Sequence, residues 1–382
     1  MTLVVHSRFW LLVALIAFGA QNVEQATAAP FTNLVVFGDS LSDIGNVESS
    51  PLVATPGPYY WNGRFSNGPV YAESLATGLG LPPLVRSTAS GGNDFAYGGA
   101  KTTGTSFPEN IVVKDIDDQV SSFRSSRTAN ATTLYVLLAG ANDLLDGQTN
   151  MSIPVGSLQS SLEQLFTAGA RQFLVINLPP LGYTPRYNGS SSSIASANAR
   201  SQQYNAALAS MVTTFQGLHP TAVMNQLDVY SLVNDARANP ALYGLTNVTT
   251  PAAPGLEPGD SSYDTSQLAP NPNQYLFWDD LHPTAAVHLI LAHRALDLFY
   301  PAGDYNRDSA NDAADYVAYR KGQGTTYVPV DYNIWRSNFG STTPGIGSGT
   351  SDILAGEVPE PNSLFGLLAA LALWHPVPRR RK

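Results

Sequence analysis

Short, continuous apolar segments recur along the chain and are separated by longer stretches with helical spacing. They span residues 34–37, 133–138 and 173–178. Strands that are apolar at consecutive positions are typical of a parallel sheet with both faces covered, and the helical stretches between them can supply that cover. The pattern predicts an α/β fold.

Two helices and two long loops stand out beyond these strands. Residues 196–215 lack Gly and Pro, and residues 284–299 place apolar side chains on one face, so both segments are predicted to be helical. Residues 51–69 and 250–272 are rich in Gly and Pro and cannot form regular elements. Because loops of this length are usually functional or mobile, we expect both to rim a site.

The composition excludes several classes of protein. The chain has 382 residues, 43% of them hydrophobic, which is enough for one α/β domain of about 250 residues with appendages. The net charge of −9 argues against nucleic-acid binding, which depends on Lys and Arg to neutralise phosphates. The absence of Cys excludes disulfides, thiolate metal sites and a Cys nucleophile.

The first 29 residues have the features of a secretory signal peptide. His6 and Arg8 precede an apolar run at residues 9–18, and small residues follow as far as Ala28 and Ala29. The run is much shorter than the ~20 residues that span a bilayer, so a cleaved signal is favoured over a membrane anchor. We expect export, with cleavage after Ala28 or Ala29.

The C-terminus has three parts in a fixed order. Pro359-Glu360-Pro361 precedes an apolar stretch at residues 364–374 and a basic cluster at residues 379–382. This end resembles the PEP-CTERM sorting signal of exported bacterial proteins. The resemblance implies recognition by membrane-bound sorting machinery and a final location in the periplasm, the outer envelope or the medium. A frayed terminal helix with a basic tail is the alternative.

The strongest local signal is Gly38-Asp39-Ser40-Leu41, directly after the first predicted strand. A serine in a tight turn at the carboxyl end of a strand has an exposed hydroxyl and nearby backbone N–H groups that can stabilise an oxyanion. A serine that only caps a helix is the alternative. A nucleophilic serine needs a base to take its proton, with an acid to orient that base.

Among the six His, His282 best fits the role of the base. Asp279 and Asp280 lie within three residues of it, and Pro283 suits the first turn of a following helix. Asp279 is the preferred orienting acid, and Asp280 is expected to point away.

Four blocks in this order resemble the SGNH hydrolases of the GDSL lipase/esterase family, over residues 31–300. The blocks are Gly38-Asp39-Ser40-Leu41, Phe95-Ala96-Tyr97-Gly98-Gly99-Ala100, Gly140-Ala141-Asn142-Asp143 and Asp279-Asp280-Leu281-His282. The resemblance implies Ser40 as the nucleophile, with Asp279 and His282 as acid and base. The oxyanion donors that it implies are the Ser40 and Gly99 N–H groups and the Asn142 amide. Gly98 is the alternative to Gly99.

The resemblance also implies a three-layer α/β/α, flavodoxin-like domain with a mainly parallel central sheet. The site would lie at the carboxyl ends of the strands, and catalysis would need no cofactor. For Tyr59, Tyr60 and Trp61 in the first long loop, the sequence leaves two roles open: they line a substrate cleft, or they anchor the loop in the core.

An acidic, Tyr-rich segment follows residue 300. Its oxygen-bearing side chains stand at positions 1, 3, 5, 9 and 12 of a calcium-loop pattern, and they belong to Asp304, Asn306, Asp308, Asp312 and Asp315. Two short runs that begin at Asp315 and Asp331 look alike. The segment resembles a dockerin type I repeat with Ser309 in place of the usual Gly, which implies a small helical module, bound Ca²⁺ and a protein partner. A solvated acidic linker is the alternative.

The leading hypothesis is an exported serine esterase or lipase that acts on a small ester, a lipid or an acylated sugar through an acyl-enzyme on Ser40. An acyltransferase with the same residues and a non-catalytic envelope protein that binds glycans or lipids are the alternatives. The predicted order of segments is a signal peptide (1–29), the hydrolase domain (30–300), the dockerin-like module (301–341), a linker (342–357) and the sorting signal (358–382).

Overall fold

A four-stranded parallel sheet forms the centre of the molecule, in a computed structural model that describes residues 30–53 and 55–344. Its strands are β1 (Asn33–Gly38), β2 (Thr133–Leu138), β3 (Gln172–Ile176) and β4 (Val223–Leu227), in the spatial order β1-β2-β3-β4. Every residue of β2 is buried, which requires cover on both faces of the sheet and explains its continuous apolar sequence.

Two groups of helices supply that cover. The first consists of α2 (Ile116–Ser126), α4 (Ser152–Thr167) and α5 (Ser191–Leu218), which pack against one another in this order. The second contains α1 (Tyr71–Gly78), α6 (Val229–Ala238) and α7 (Ala285–Leu296); α1 packs against α7, and α6 faces α7 across a small cavity. The predicted α/β class with a parallel sheet is confirmed.

The carboxyl ends of the strands lead into the segments that carry the sequence blocks. The GDSL turn follows β1, and the short helix α3 (Ala141–Leu145) follows β2. A second parallel pair, β5 (Asn247–Pro251) and β6 (Tyr275–Phe277), flanks the second long loop and leads directly to Asp279. Because the strands are parallel, their carboxyl ends lie at the same edge, and the sequence blocks that follow them come together there.

Two further helices, α8 (Ala313–Gly322) and α9 (Pro329–Ser337), pack against each other after α7. Asp331 of α9 pairs with Arg294 near the end of α7, where Asp297 lies 2.9 Å from the same guanidinium. This buried contact attaches the small C-terminal module, which consists of α8 and α9, to helix α7.

The predicted signal peptide and sorting signal, and all but the first residues of the predicted linker, lie outside the described residues. Between residues 30 and 344, no helix is both long and apolar enough to cross a bilayer.

Candidate active site

Ser40 lies in a tight turn immediately after β1. The backbone carbonyl oxygen of Asp39 accepts hydrogen bonds from the N–H groups of Ser42 and Asp43, each at 3.0 Å. The side-chain carboxylate of Asp39 accepts a hydrogen bond from Leu41 N–H, also at 3.0 Å. These bonds fix the turn around Ser40. The preceding Gly38 has no room for a side chain, because a Cβ there would lie 2.8 Å from Ser42 Oγ. The sequence block thus sets the direction of the serine.

The imidazole of His282 bridges Ser40 and Asp279. Ser40 Oγ lies 2.9 Å from His282 Nε2, and His282 Nδ1 lies 2.7 Å from Asp279 Oδ2. Ser40 and His282 are 242 residues apart in the chain. The other oxygen, Asp279 Oδ1, accepts hydrogen bonds from the N–H groups of Leu281 at 2.8 Å and His282 at 2.6 Å. The structure therefore joins all three predicted catalytic residues in one hydrogen-bonded chain.

Asp280, the acid expected to point away, forms an ion pair with Arg186 at 2.8 Å nearer the surface. The two neighbouring carboxylates thus have different environments. Asp279 is completely buried and contacts the imidazole, whereas Asp280 is partly exposed and contacts a guanidinium.

Tyr60 is a residue of the site that the sequence did not assign. Its hydroxyl donates to Asp279 Oδ2 at 2.7 Å, on the same oxygen that His282 Nδ1 contacts. Its ring is buried in a cluster with Leu256 and Trp278, so it anchors the first long loop against the second. The apolar ring and polar tip of a tyrosine in a long loop are the only sequence signal for this contact, which spans 219 residues of chain.

Contacts around Asp279 and His282 shift their pKa values in opposite directions. Burial alone would raise the pKa of Asp279, but the charge of His282 and hydrogen bonds from His282 and Tyr60 together lower it. Burial alone would lower the pKa of His282, but the Asp279 carboxylate outweighs it and raises this pKa above the ordinary 6.5. Asp279 thus remains ionised, and the imidazole can hold a proton that it receives from Ser40.

The two glycines of the second block have different tasks. Gly98 N–H donates to the Asp43 carboxylate at 2.8 Å, and a Cβ at Gly98 would lie 2.1 Å from the Phe65 ring, which packs on His282. Gly98 N–H is therefore committed to Asp43 and is not available to an oxyanion. Gly99 has φ +83°, a conformation that favours glycine, and it is exposed. Its N–H remains the proposed oxyanion donor of this block.

Asn142 lies in the first turn of α3 and lines the cleft beside Ser40. Its side-chain amide donates to the carbonyl oxygen of Ala100 at 2.8 Å, which ties the third block to the second. An amide nitrogen carries two hydrogens, so one remains for a substrate oxygen.

Ser40 and His282 open into a mainly apolar cleft. Its polar lining residues are Asp39, Ser40, Asn142, Thr184 and His282. All other lining residues are apolar. They come from the turn after β1, from α3, from the segment after β3, from α6, and from β6 through α7: Leu41, Ala141, Leu145, Pro179, Pro180, Leu181, Val229, Val233, Leu276, Phe277, Leu281, Pro283, Val287 and Leu291. A few polar groups at one end of an apolar cleft suit an ester with an apolar part.

The structure does not support the predicted calcium site at Asp304, Asn306, Asp308, Asp312 and Asp315. Across residues 30–344, no group of three or more His, Asp or Glu side chains is arranged to hold a metal ion. The carboxylates of the loop accept backbone hydrogen bonds instead: Asp304 from Arg307, Asp308 and Ser309, and Asp315 from Tyr305, Asn306 and Asp312. Burial and the nearby Asp315 raise the pKa of Asp304 to about 7.

Comparisons with known proteins identify the family of the chain. The profile of the family described as GDSL-like Lipase/Acylhydrolase matches residues 34–295. A GDSL esterase/lipase of Arabidopsis thaliana is 26% identical over 327 residues, covering 71% of this chain and 90% of that protein. A phosphatidylcholine-sterol acyltransferase of Aeromonas hydrophila is 26% identical over 325 residues, covering 74% of this chain and 95% of that protein.

Among solved structures, a member of the lipolytic G-D-S-L family from Veillonella parvula matches 70% of this chain and 98% of its own, with 13% identity and a TM-score of 0.40. The family profile covers more than half of the chain and includes all the blocks around Ser40, Gly99, Asn142 and His282. The chain belongs to the GDSL-like lipase/acylhydrolase family and is a hydrolase of ester bonds.

Proposed function

We propose that the protein is an exported serine esterase that hydrolyses carboxylic esters through an acyl-enzyme on Ser40. The observation that carries this proposal is the continuous chain from Ser40 Oγ through His282 to the buried Asp279, at the polar end of an apolar cleft.

In the proposed reaction, His282 Nε2 takes the proton of Ser40 Oγ as that oxygen attacks the ester carbonyl. The developing oxyanion is held by the N–H groups of Ser40 and Gly99 and by the Asn142 amide. His282 then gives its proton to the departing alcohol, which leaves the acyl group on Ser40. Water that loses a proton to His282 attacks the acyl-enzyme. His282 returns that proton to Ser40 Oγ as the bond to the acyl group breaks and the acid leaves.

The polar groups of the cleft support an ester as the substrate. They can hold one carbonyl and its leaving oxygen, while the apolar walls exclude water from the rest of the substrate. Lipids and acylated sugars both provide such esters, with an apolar acyl part and a polar alcohol.

An activity-based probe tests the proposal directly. An alkyl fluorophosphonate should phosphonylate Ser40, and peptide mass spectrometry should locate the label on that residue. Ser40→Ala should lose both the label and 4-nitrophenyl acetate hydrolysis by several orders of magnitude. His282→Ala, which keeps the serine but not its base, should react far more slowly. Labelling of another residue with unchanged turnover by Ser40→Ala would refute the proposal.

Acyl transfer is the second candidate. It is favoured by the similarity to the phosphatidylcholine-sterol acyltransferase and by apolar walls that hinder water. If an alcohol reaches the acyl-enzyme faster than water, the product is a new ester. Chromatography of products formed with and without an added long-chain alcohol separates the two outcomes, because hydrolysis alone yields only free acid.

Export and sorting are proposed from the two ends of the sequence. The apolar run and small residues before Pro30, and the Pro-Glu-Pro, apolar and basic parts after Val358, support removal of both ends. Terminal mass spectrometry of protein from the native host should find a start at Ala29 or Pro30 and an end near Pro361. An intact basic cluster on the exported protein would refute the sorting proposal. A dockerin-like partner for residues 301–341 stays a prediction.

A further inference from the structure

A second, narrow apolar void lies behind the cleft at Ser40. Four residues line both spaces: Val233 of α6, Leu276 of β6, and Val287 and Leu291 of α7. We call these four residues the rear wall. All of them are at least nine-tenths buried, and none carries a polar side-chain atom. The rear wall therefore closes the cleft from three different elements.

We propose that the rear wall is the stop that sets acyl-chain length, so that the preferred substrates are esters of medium-chain fatty acids. The inference rests on the proposed function, because it assigns a substrate class to the site at Ser40.

The acyl part, and not the alcohol, suits the closed end of the cleft. In the proposed reaction the alcohol leaves while the acyl group is still bonded to Ser40. A group buried against the rear wall could leave only by passing the occupied serine. The alcohol must therefore point toward solvent, and the acyl chain is the part that can remain in the apolar cleft.

The geometry of α7 gives an estimate of the chain length. Helix α7 begins at Ala285, three residues after His282, and Val287 and Leu291 lie one turn apart on the same face. At a rise of 1.5 Å per residue, Leu291 lies about 9 Å beyond Ala285, which is the length of an extended acyl chain of roughly seven or eight carbons. Longer chains would have to displace the rear wall.

The space behind the rear wall could hold more carbons if the wall were opened. Its lining includes Leu232, Ala236, Leu245 and Ile290, which are apolar, and Tyr243, whose hydroxyl donates to Asp235. Removal of one rear-wall side chain would therefore extend the apolar cleft without exposing an unpaired polar group. Ile290 offers a matched control, because it neighbours Leu291 and is equally buried but lines only the rear cavity.

The test is a series of 4-nitrophenyl esters from acetate to palmitate, measured as kcat/KM. Each methylene that enters the cleft should raise kcat/KM about fourfold, the factor for one buried methylene, up to about eight carbons. Beyond that length we expect a plateau or a fall. Acetates of linear alcohols of increasing length, followed by acetate release, should show no comparable rise.

Two variants change the rear wall in opposite directions. Leu291→Ala should raise the dodecanoate-to-octanoate ratio of kcat/KM at least tenfold, and Val233→Phe should lower the octanoate-to-acetate ratio at least tenfold. Ile290→Ala should keep the wild-type ratios, although it removes a similar buried side chain. Ratios within one preparation remain valid when part of the protein is unfolded.

The possible failures are distinguishable. No Ser40-dependent hydrolysis of any ester would refute the proposed function itself. Ser40-dependent hydrolysis with no optimum in acyl length, with an optimum in the alcohol series, or with Leu291→Ala and Ile290→Ala giving the same ratios would overturn only the rear wall as the chain-length stop.

Discussion

The two ends of helix α7 both have buried charge, but of different kinds. Before its first turn, the Asp279 carboxylate holds the imidazole of His282 at 2.7 Å. Near its last turn, the carboxylates of Asp297 and Asp331 hold the guanidinium of Arg294. One helix thus connects the candidate active site to the C-terminal module.

The partner of the carboxylate decides what each end can do. The Asp279 carboxylate raises the pKa of His282 above 6.5, and an imidazole is a group that can both gain and lose a proton. Burial alone would lower the pKa of Arg294, but the carboxylates of Asp297 and Asp331 outweigh this effect and raise the pKa above its ordinary value. The guanidinium therefore remains charged. Buried charge next to a titratable partner serves catalysis, and buried charge next to a permanent cation serves attachment.

The largest expected effect is at the first end. Asp279→Asn should lower kcat by on the order of 10⁴, because an amide at this position favours the wrong tautomer of His282. Asp280→Asn is the matched control and should change kcat only a few-fold, since Asp280 contacts Arg186 and not the imidazole. Steady-state kinetics on one short ester measure both. The reverse ranking would transfer the orienting role to Asp280.

The second prediction concerns the other end. Arg294→Met should lower the free energy of unfolding by about 3–5 kcal/mol, because it leaves two buried carboxylates without their cation. The folded variant should retain its ester turnover within a few-fold. Urea unfolding and a short-ester assay measure the two quantities. Arg336→Met makes the same change at an exposed position of α9 and should have little effect. A large loss of turnover in folded Arg294→Met would contradict the separation between the two ends.

The third prediction uses pH to examine the Asp279 end. His282 acts as a base only when neutral, so kcat/KM should fall as pH drops through a pKa above 6.5. Tyr60→Phe removes a hydrogen bond from the Asp279 carboxylate, which should then stabilise protonated His282 more strongly and raise its pKa. The acid limb of the kcat/KM profile should therefore move to higher pH, while kcat falls about tenfold.

The neighbouring Tyr59→Phe is the control for this experiment, because the Tyr59 hydroxyl donates to the carbonyl oxygen of Ser261, at 3.5 Å, and not to Asp279. It should leave the acid limb in place. If Tyr60→Phe lowered kcat but left the acid limb in place, Tyr60 would support the loop without affecting the pKa of His282.

The smallest effect is expected within the C-terminal module. Ser309 has φ +72°, in the left-handed region that favours glycine. Ser309→Gly should therefore raise the free energy of unfolding by roughly 0.5 kcal/mol, after the larger chain entropy of glycine is included. Ser210→Gly, in the middle of α5, should lower it by about the same amount. Thermal unfolding of both variants measures the difference, and destabilisation by Ser309→Gly would contradict this account of the turn.

Much of the sheet and its cover could be predicted from local sequence. The apolar runs at residues 34–37, 133–138 and 173–178 correspond to β1, β2 and β3. The run that forms β4 was missed, because Asn225 and Gln226 interrupt its apolar pattern on the partly exposed edge of the sheet. Strand β5 was also missed, since its Thr-rich sequence ends in Pro251 within a region that reads as a loop.

The candidate site could likewise be predicted only in part from the sequence. Ser40, Asp279, His282 and Asn142 lie in short blocks whose residue types indicate their chemistry. The contact of Tyr60 with Asp279 depends on how two long loops pack, which local patterns do not encode. The choice between Gly98 and Gly99 depends on the Asp43 carboxylate, which accepts a hydrogen bond from only one of two identical neighbours.

The sequence separation of 242 between Ser40 and His282 has a consequence for when activity can appear during folding. Parallel strands and distant pairings form slowly, because the loops between them must be closed before any contact stabilises them. A growing chain contains Ser40 long before His282, and no fragment that ends before residue 282 can complete the pair. Ester turnover during refolding therefore reports the last long-range closure of the domain and should lag behind the recovery of helical circular dichroism.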